Sequence, residues 1–272
     1  ATMAQVCIFA SLSCVGAPFR HGWHGGVRVS LETADALGPG PASAAAATMA
    51  MERARGDPAE AIRNDLERTF ADMPMVAPRK PQISRILQQY ANQNPEVGYT
   101  QGMNYVAATM CLKFPDREAE ASRLFAEAML QFSGFWSDGF PLLSFGVQLF
   151  SALAEQHLPS LWAHLMRSGV EPLSYLPNGW LSLFGKWLPL PAVMETVDLV
   201  LDCGIRGVLA ATLAFFQIQQ SRLLAAQGME ELLELINQDS RTAPIDGELV
   251  VSCARRWLPH VDEALQASSG SG

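Results

Sequence analysis

Asp57-Pro58-Ala59-Glu60-Ala61-Ile62-Arg63-Asn64-Asp65-Leu66-Glu67-Arg68-Thr69-Phe70 is the stretch on which the reading of this chain turns. Asp57 stands at an N-cap position, Pro58 follows at N1 and Glu60 at N3, which together predict a helix start. Ile62, Leu66 and Phe70 recur at helical spacing and define the buried side. Thr69 lies beside them, Arg68 falls on the opposite side, and Asp65 sits one turn back between the two. A carboxylate is thereby placed to fix a guanidinium in one direction while the cation stays free to reach outward. Taken alone, Asp65 and Arg68 also fit an ordinary surface ion pair, worth a few tenths of a kcal/mol.

The same period of about 3.6 runs through nearly the whole chain. Ile83, Ile86, Leu87 and Tyr90 keep it, as do Met103, Val106, Ala107 and Met110. Phe114-Pro115-Asp116 breaks it before a helix carrying Leu124, Phe125, Ala128, Met129 and Phe132. Further helices are expected at 143–158, 161–168, 180–188, 191–202, 207–227, 229–237 and 248–257, with Gly169, Gly204 and Gly228 at their C-caps. Only Val27 to Leu31 looks strand-like, no repeat of fixed period appears, and Ala42 to Ala47 is low in complexity. The fold class is therefore all-α, a single multi-helix domain of about ten or more helices over residues 57–265. A divergent N-terminal segment covers residues 1–56, and a flexible tail is expected over residues 266–272.

Composition sets the outer limits. With 272 residues, 49% hydrophobic and 17% charged, the chain can bury a large core without staples. Its net charge of −8 has the wrong sign for a protein that binds phosphate backbones, so nucleic acid is not an expected partner. Five scattered cysteines, Cys7, Cys14, Cys111, Cys203 and Cys253, suit reduced thiols better than a disulfide framework. Cys7 and Cys14 with His21 and His24 are too openly spaced for a zinc knuckle, and no metal site is expected. The apolar opening from Ala1 to Phe19 lacks the positive region of a signal peptide, and Gln5, Ser11, Ser13 and Pro18 interrupt it as a membrane span. Gly207 to Ile218 has the length of a buried core helix.

A second string carries chemistry: Tyr99-Thr100-Gln101-Gly102-Met103-Asn104, which reads as a helix start behind the loop Asn94-Pro95-Glu96-Val97-Gly98. A helix N-terminus turns N–H groups and positive dipole toward whatever sits in front of it, a natural place for phosphate oxygens. Arginine and glutamine are the side chains that phosphoryl-transfer sites use to offset charge and to aim water. A plain alternative makes Gln101 a first-turn residue behind a Thr100 N-cap, with Tyr99 and Met103 in the core.

The two strings resemble the signature motifs of the TBC-domain Rab GTPase-activating proteins, I-x-x-D-x-x-R-T and Y-x-Q-G-M-N. Ile62, Asp65, Arg68 and Thr69 match the first motif. Tyr99, Gln101, Gly102, Met103 and Asn104 match the second. Trp180-Leu181-Ser182-Leu183-Phe184 is similar to the family's W-x-x-x-F, and Pro189 and Asp198 fall where the family has a proline and a Trp-Asp pair, with Val197 in place of the tryptophan. The resemblance covers roughly residues 57–227. It implies that Arg68 offsets charge on the transferring phosphoryl group of a bound, GTP-loaded Rab. It also implies that Gln101 orients the attacking water, with Asp65, Thr69, Tyr99 and Asn104 as supports. GTP and Mg²⁺ would belong to the Rab, leaving this chain with no cofactor of its own. A cytoplasmic protein, drawn to endomembranes through its partner, is the matching location.

Other templates fail. Five residues separate Gly179 from Gly185, one too many for a P-loop, and Trp187 stands where Ser or Thr is needed. No G-x-S-x-G elbow or H-E-x-x-H appears. His157 and His164 read as structural or half-exposed. Two other classes stay open: a TBC-like module that binds a GTPase without accelerating it, and a helical scaffold unrelated to GTPases.

Overall fold

Asp57 caps the first helix as its sequence predicts, its carboxylate accepting from the Ala59 N–H at 3.0 Å. The computed structural model describes residues 57–237 and 245–269. Eleven α-helices lie within them: α1 Pro58–Arg68, α2 Lys80–Gln93, α3 Met103–Lys113, α4 Glu118–Gln131, α5 Pro141–His157, α6 Pro159–Arg167, α7 Leu176–Trp180, α8 Leu190–Cys203, α9 Ile205–Ala225, α10 Gly228–Asn237 and α11 Gly247–Ser269. No strand occurs among the described residues, in keeping with the all-α expectation. The segments Val27 to Leu31 and Ala42 to Ala47 lie outside them.

Two helices are buried on almost every side and organise the rest. α9 carries buried residues from Ile205 through Phe216 and packs against α5, α8 and α11. α3 buries every residue from Met103 to Cys111 and lies against α1, α2, α4 and α8. A helix apolar all round has no solvent face to offer, which is why both sit in the centre. α1 is the opposite case, burying only Ile62, Asp65 and Leu66 and leaving its other side in water.

Several boundaries differ from expectation. The expected helix over 180–188 ends at Trp180, and Leu183 (φ 42°) and Phe184 (φ 70°) take left-handed backbone. Burial decides this: Gly179 lies against the Trp187 ring and Gly185 against Tyr105, where an added Cβ would come within 2.6 Å in each case. A continuous helix could not make both approaches. Gly204 (φ 60°) caps α8 and Gly169 (φ 74°) follows the end of α6, but Gly228 (φ 86°) opens α10 instead of closing α9. α9 stops earlier because Ala226 turns extended, with ψ 144°. α11 runs through Pro259 to Ser269, beyond both the expected end at residue 257 and the expected start of the tail at 266. Leu258 and Val261 continue its buried face and hold the extra turns in place.

The described histidines behave as structural groups. His164 Nε2 lies 3.1 Å from the Ala226 carbonyl. His157 packs against Trp257 and His260, and burial first, then the His260 charge, lowers its pKa.

Trp180 is fully buried and closely fitted. Its Nε1–H donates to Thr212 Oγ1 at 2.8 Å, and its ring fills the space beside Gly146 on α5. A Cβ on Gly146 would stand 2.6 Å from that ring. Gly146→Ala should therefore destabilise the fold by about 1–3 kcal/mol, outweighing the roughly 1 kcal/mol gained in helix propensity. Urea unfolding tests this, and an unchanged or raised midpoint would show that the ring has room. Cys111 gives a second test, because burial first and the Glu118 charge second push its thiol up to about 12. Peptide mapping after iodoacetamide treatment near pH 8 should find Cys111 unmodified in the native chain and alkylated in urea.

Candidate functional site: a guanidinium and an ammonium on one carboxamide oxygen

α1 ends at Arg68 because Thr69 turns extended (ψ 108°) and Phe70 then adopts φ 44°. Tyr105 takes up the consequences of that turn. Its hydroxyl donates to the Arg68 carbonyl at 3.3 Å, and its ring meets Phe70 edge-on at 5.0 Å. Arg68 thus occupies the last helical position, where the helix dipole favours a cation. Its side chain is 58% exposed, while that of Asp65 is 7% exposed.

Asp65 is a buried carboxylate and needs partners to be tolerated there. It has two. Oδ1 accepts from Arg68 Nη2, and Oδ2 accepts from the Tyr99 hydroxyl at 2.5 Å. Burial first, then the Asp65 charge, raises the Tyr99 pKa, so the phenol remains a donor. This pair of bonds joins the first motif to the second across 34 residues of chain. A parallel link runs beneath it: Thr69 Oγ1 donates to the Asp65 carbonyl at 2.7 Å and accepts from Asn104 Nδ2 at 2.7 Å. Asn104 Oδ1 then accepts from the Gly102 N–H at 2.9 Å. Ile62 and Met103 are fully buried and anchor the two strands of this frame to the core.

Gln101 is exposed and precedes the helix start. α3 begins at Met103 with Gly102 as its N-cap, so Gln101 is not a first-turn residue behind a Thr100 cap. Gly102 is required twice over. Its φ is 111°, and an added Cβ would lie 2.4 Å from the Leu181 carbonyl oxygen. Two N–H groups at this terminus are already spent, Gly102 on Asn104 and Met103 on the Thr100 carbonyl at 3.2 Å. Positive charge at the site therefore comes chiefly from side chains and less from the helix end than the sequence predicts.

The Gln101 carboxamide is oriented with its oxygen toward two cations, since the reverse would oppose its NH₂ to other donors. So placed, the oxygen accepts from Arg68 Nη2 at 3.0 Å and from Lys186 Nζ at 3.1 Å. Lys186 escaped the sequence reading, which passed over it as part of a failed P-loop. Its signal was the pair Gly179 and Gly185, unusual inside a helix, which marks close backbone approaches. The loop from Leu181 to Trp187 makes a third wall of the site, against Gly102 and Tyr105. Burial first and the Arg68 charge second lower the Lys186 pKa. All nine residues singled out from the sequence thus fall in one frame, with Arg68 and Gln101 at its surface and the others beneath. Among the described residues no cluster of three or more potential metal ligands occurs. None of the described helices is long and apolar enough to cross a membrane.

The Rab-GTPase-TBC domain family matches residues 43–224. The GTPase activating protein Gyp51 of Schizosaccharomyces pombe is 28% identical over 198 residues, which make up 67% of this chain and 19% of that protein. GYP5 of Saccharomyces cerevisiae is 30% identical over 65% of this chain and 20% of its own length. Mouse Carabin is 30% identical over 67% of this chain and 42% of its own. The chain thus spans less than half of the length of each of these relatives. Among solved structures, the Chlamydomonas flagellar RabGAP TBC domain superposes with a TM-score of 0.63 at 23% identity, covering 82% of this chain and 77% of that one. The Ypt/Rab-GAP domain of Gyp1p gives 0.62 at 16% identity over 80% of each chain. Fold, motif pair and family match converge, and the chain belongs to the Rab-GTPase-TBC domain family.

Proposed function

We propose that this chain accelerates GTP hydrolysis by a Rab-family small GTPase in its GTP-bound form, supplying Arg68 and Gln101 to the partner's nucleotide site. The observation that carries this reading is the meeting of two exposed side chains 3.0 Å apart, Arg68 Nη2 and the Gln101 carboxamide, on a frame of buried hydrogen bonds. One phosphate group can touch both.

The chemistry asks for positioning and charge, not for an unusual pKa. The transferring phosphoryl group carries its charge on three oxygens, and the Arg68 guanidinium supplies donors in a planar fork suited to them. Asp65 holds one arm of that fork through Nη2. The Gln101 carboxamide accepts a hydrogen from water and directs a lone pair at phosphorus, a task the GTPase's own glutamine performs elsewhere. GTP and Mg²⁺ are carried by the Rab. The net charge of −8 argues against a phosphate-backbone partner, and the chain acts in the cytoplasm, reaching endomembranes through the Rab.

Multiple-turnover hydrolysis against a panel of GTP-loaded Rabs tests this. The wild-type chain should stimulate at least one. Arg68→Ala should lower that stimulation by about 10³-fold or more. Gln101→Ala should lower it by about 10²- to 10³-fold, the usual cost of removing one preorganised donor or acceptor. Stimulation untouched by either substitution would remove both residues from the mechanism. GTP-dependent binding without stimulation would make the chain a non-catalytic partner of the GTPase.

A further inference from the structure

Lys186 lies outside the two motifs, and its backbone is tightly fixed. Gly185 on one side touches Tyr105, and Trp187 on the other stacks on Phe215 at 4.9 Å. The Lys186 N–H donates to Ser182 Oγ at 3.2 Å, and Ser182 Oγ in turn donates to the Asn178 carbonyl at 2.7 Å. The ammonium is half-buried, and its acceptors are two carboxamide oxygens, Gln101 at 3.1 Å and Asn178 at 3.4 Å. A carboxylate partner would hold a lysine more strongly, so the contact serves the amide more than the cation.

We propose that Lys186 is a positioning residue that keeps the Gln101 carboxamide aimed when Arg68 leaves it for the phosphate. A carboxamide oxygen has two lone pairs. Before the partner binds, Arg68 occupies one and Lys186 the other. Transfer of the Arg68 guanidinium to the phosphoryl oxygens frees the first lone pair for a hydrogen of the attacking water. Lys186 keeps the second, so the amide does not swing away at the moment it is needed. The exchange couples the two motif residues, because water is accepted only once the guanidinium has been withdrawn. Burial first and the Arg68 charge second lower the Lys186 pKa, in keeping with an ammonium bonded to amide oxygens.

This inference rests on the proposed GTPase-activating function, and two measurements separate their failures. Side-chain ¹⁵N relaxation in the isolated chain reads the order of the Gln101 carboxamide directly. Lys186→Met should lower it clearly, and Lys186→Arg, which keeps a donor cation, should restore it. An unchanged order parameter in Lys186→Met would overturn the proposal whether or not the chain activates a GTPase. In hydrolysis assays with a responsive Rab, Lys186→Met should cut kcat by roughly 10- to 100-fold with KM little changed. The same substitution in a Gln101→Ala background should have no further effect. A multiplicative loss in that background would overturn the proposal and make Lys186 an independent contact to the phosphate. If wild type stimulates no Rab, the proposed function fails and the relaxation result alone decides what Lys186 does.

Discussion

A buried carboxylate with two donors is the constraint on which this site depends. Asp65 cannot sit beneath the surface of α1 unless its charge is met, and the groups that meet it are Arg68 and Tyr99. Removing either donor leaves part of a desolvated anion unmatched, which costs more than the bond itself contributes. The carboxylate therefore does two things with one set of atoms. It points a guanidinium outward, and it ties the end of α1 to the segment that carries Gln101. The Thr69–Asn104–Gly102 chain repeats the tie through neutral groups, so the relative placement of the two motifs is set twice.

What surrounds this frame is chosen by close approach more than by hydrophobicity. Gly102 leaves no space for a side chain against Leu181, and Gly185 leaves none against Tyr105. These contacts press the loop from Leu181 to Trp187 onto the other two walls, which sets the Lys186 ammonium beside Gln101. The left-handed residues Leu183 and Phe184 lie in that same loop. Such backbone persists only where the surroundings over-determine it. Here those surroundings are Trp180, Trp187 and Phe215, all buried. A dense aromatic layer thus supports a polar site a few residues away, and the core and the chemistry are not separable.

Much of this could be read in the residues. Asp57, Pro58 and the Ile62, Leu66, Phe70 spacing fixed α1, and the Asp65-to-Arg68 step predicted the ion pair that the structure contains. The pairing of Asp65 with Tyr99 could not be read, because no local period reports a contact spanning 34 residues. The expected helix start at Gln101 lies two residues early, since a positive φ at Gly102 is invisible to hydrophobic spacing. The region after Trp180 was misread for a related reason. Its apolar residues keep a helical rhythm, but burial on all sides makes rhythm uninformative, and the two glycines were the better guide. Lys186 was missed with it.

Two cations share the Gln101 carboxamide oxygen, and in the proposed function the phosphoryl group claims the guanidinium from it. The most direct test is capture of a Rab loaded with Mg²⁺, GDP and aluminium fluoride, which mimics the phosphoryl group in transfer. Wild type should bind this form about 100-fold or more tightly than GDP-loaded Rab, the preference expected for a transition-state mimic. Arg68→Ala and Gln101→Ala should each abolish that preference. Equal capture of the two forms by wild type, or undiminished preference in the variants, would mean that the guanidinium and the carboxamide do not meet on the phosphate.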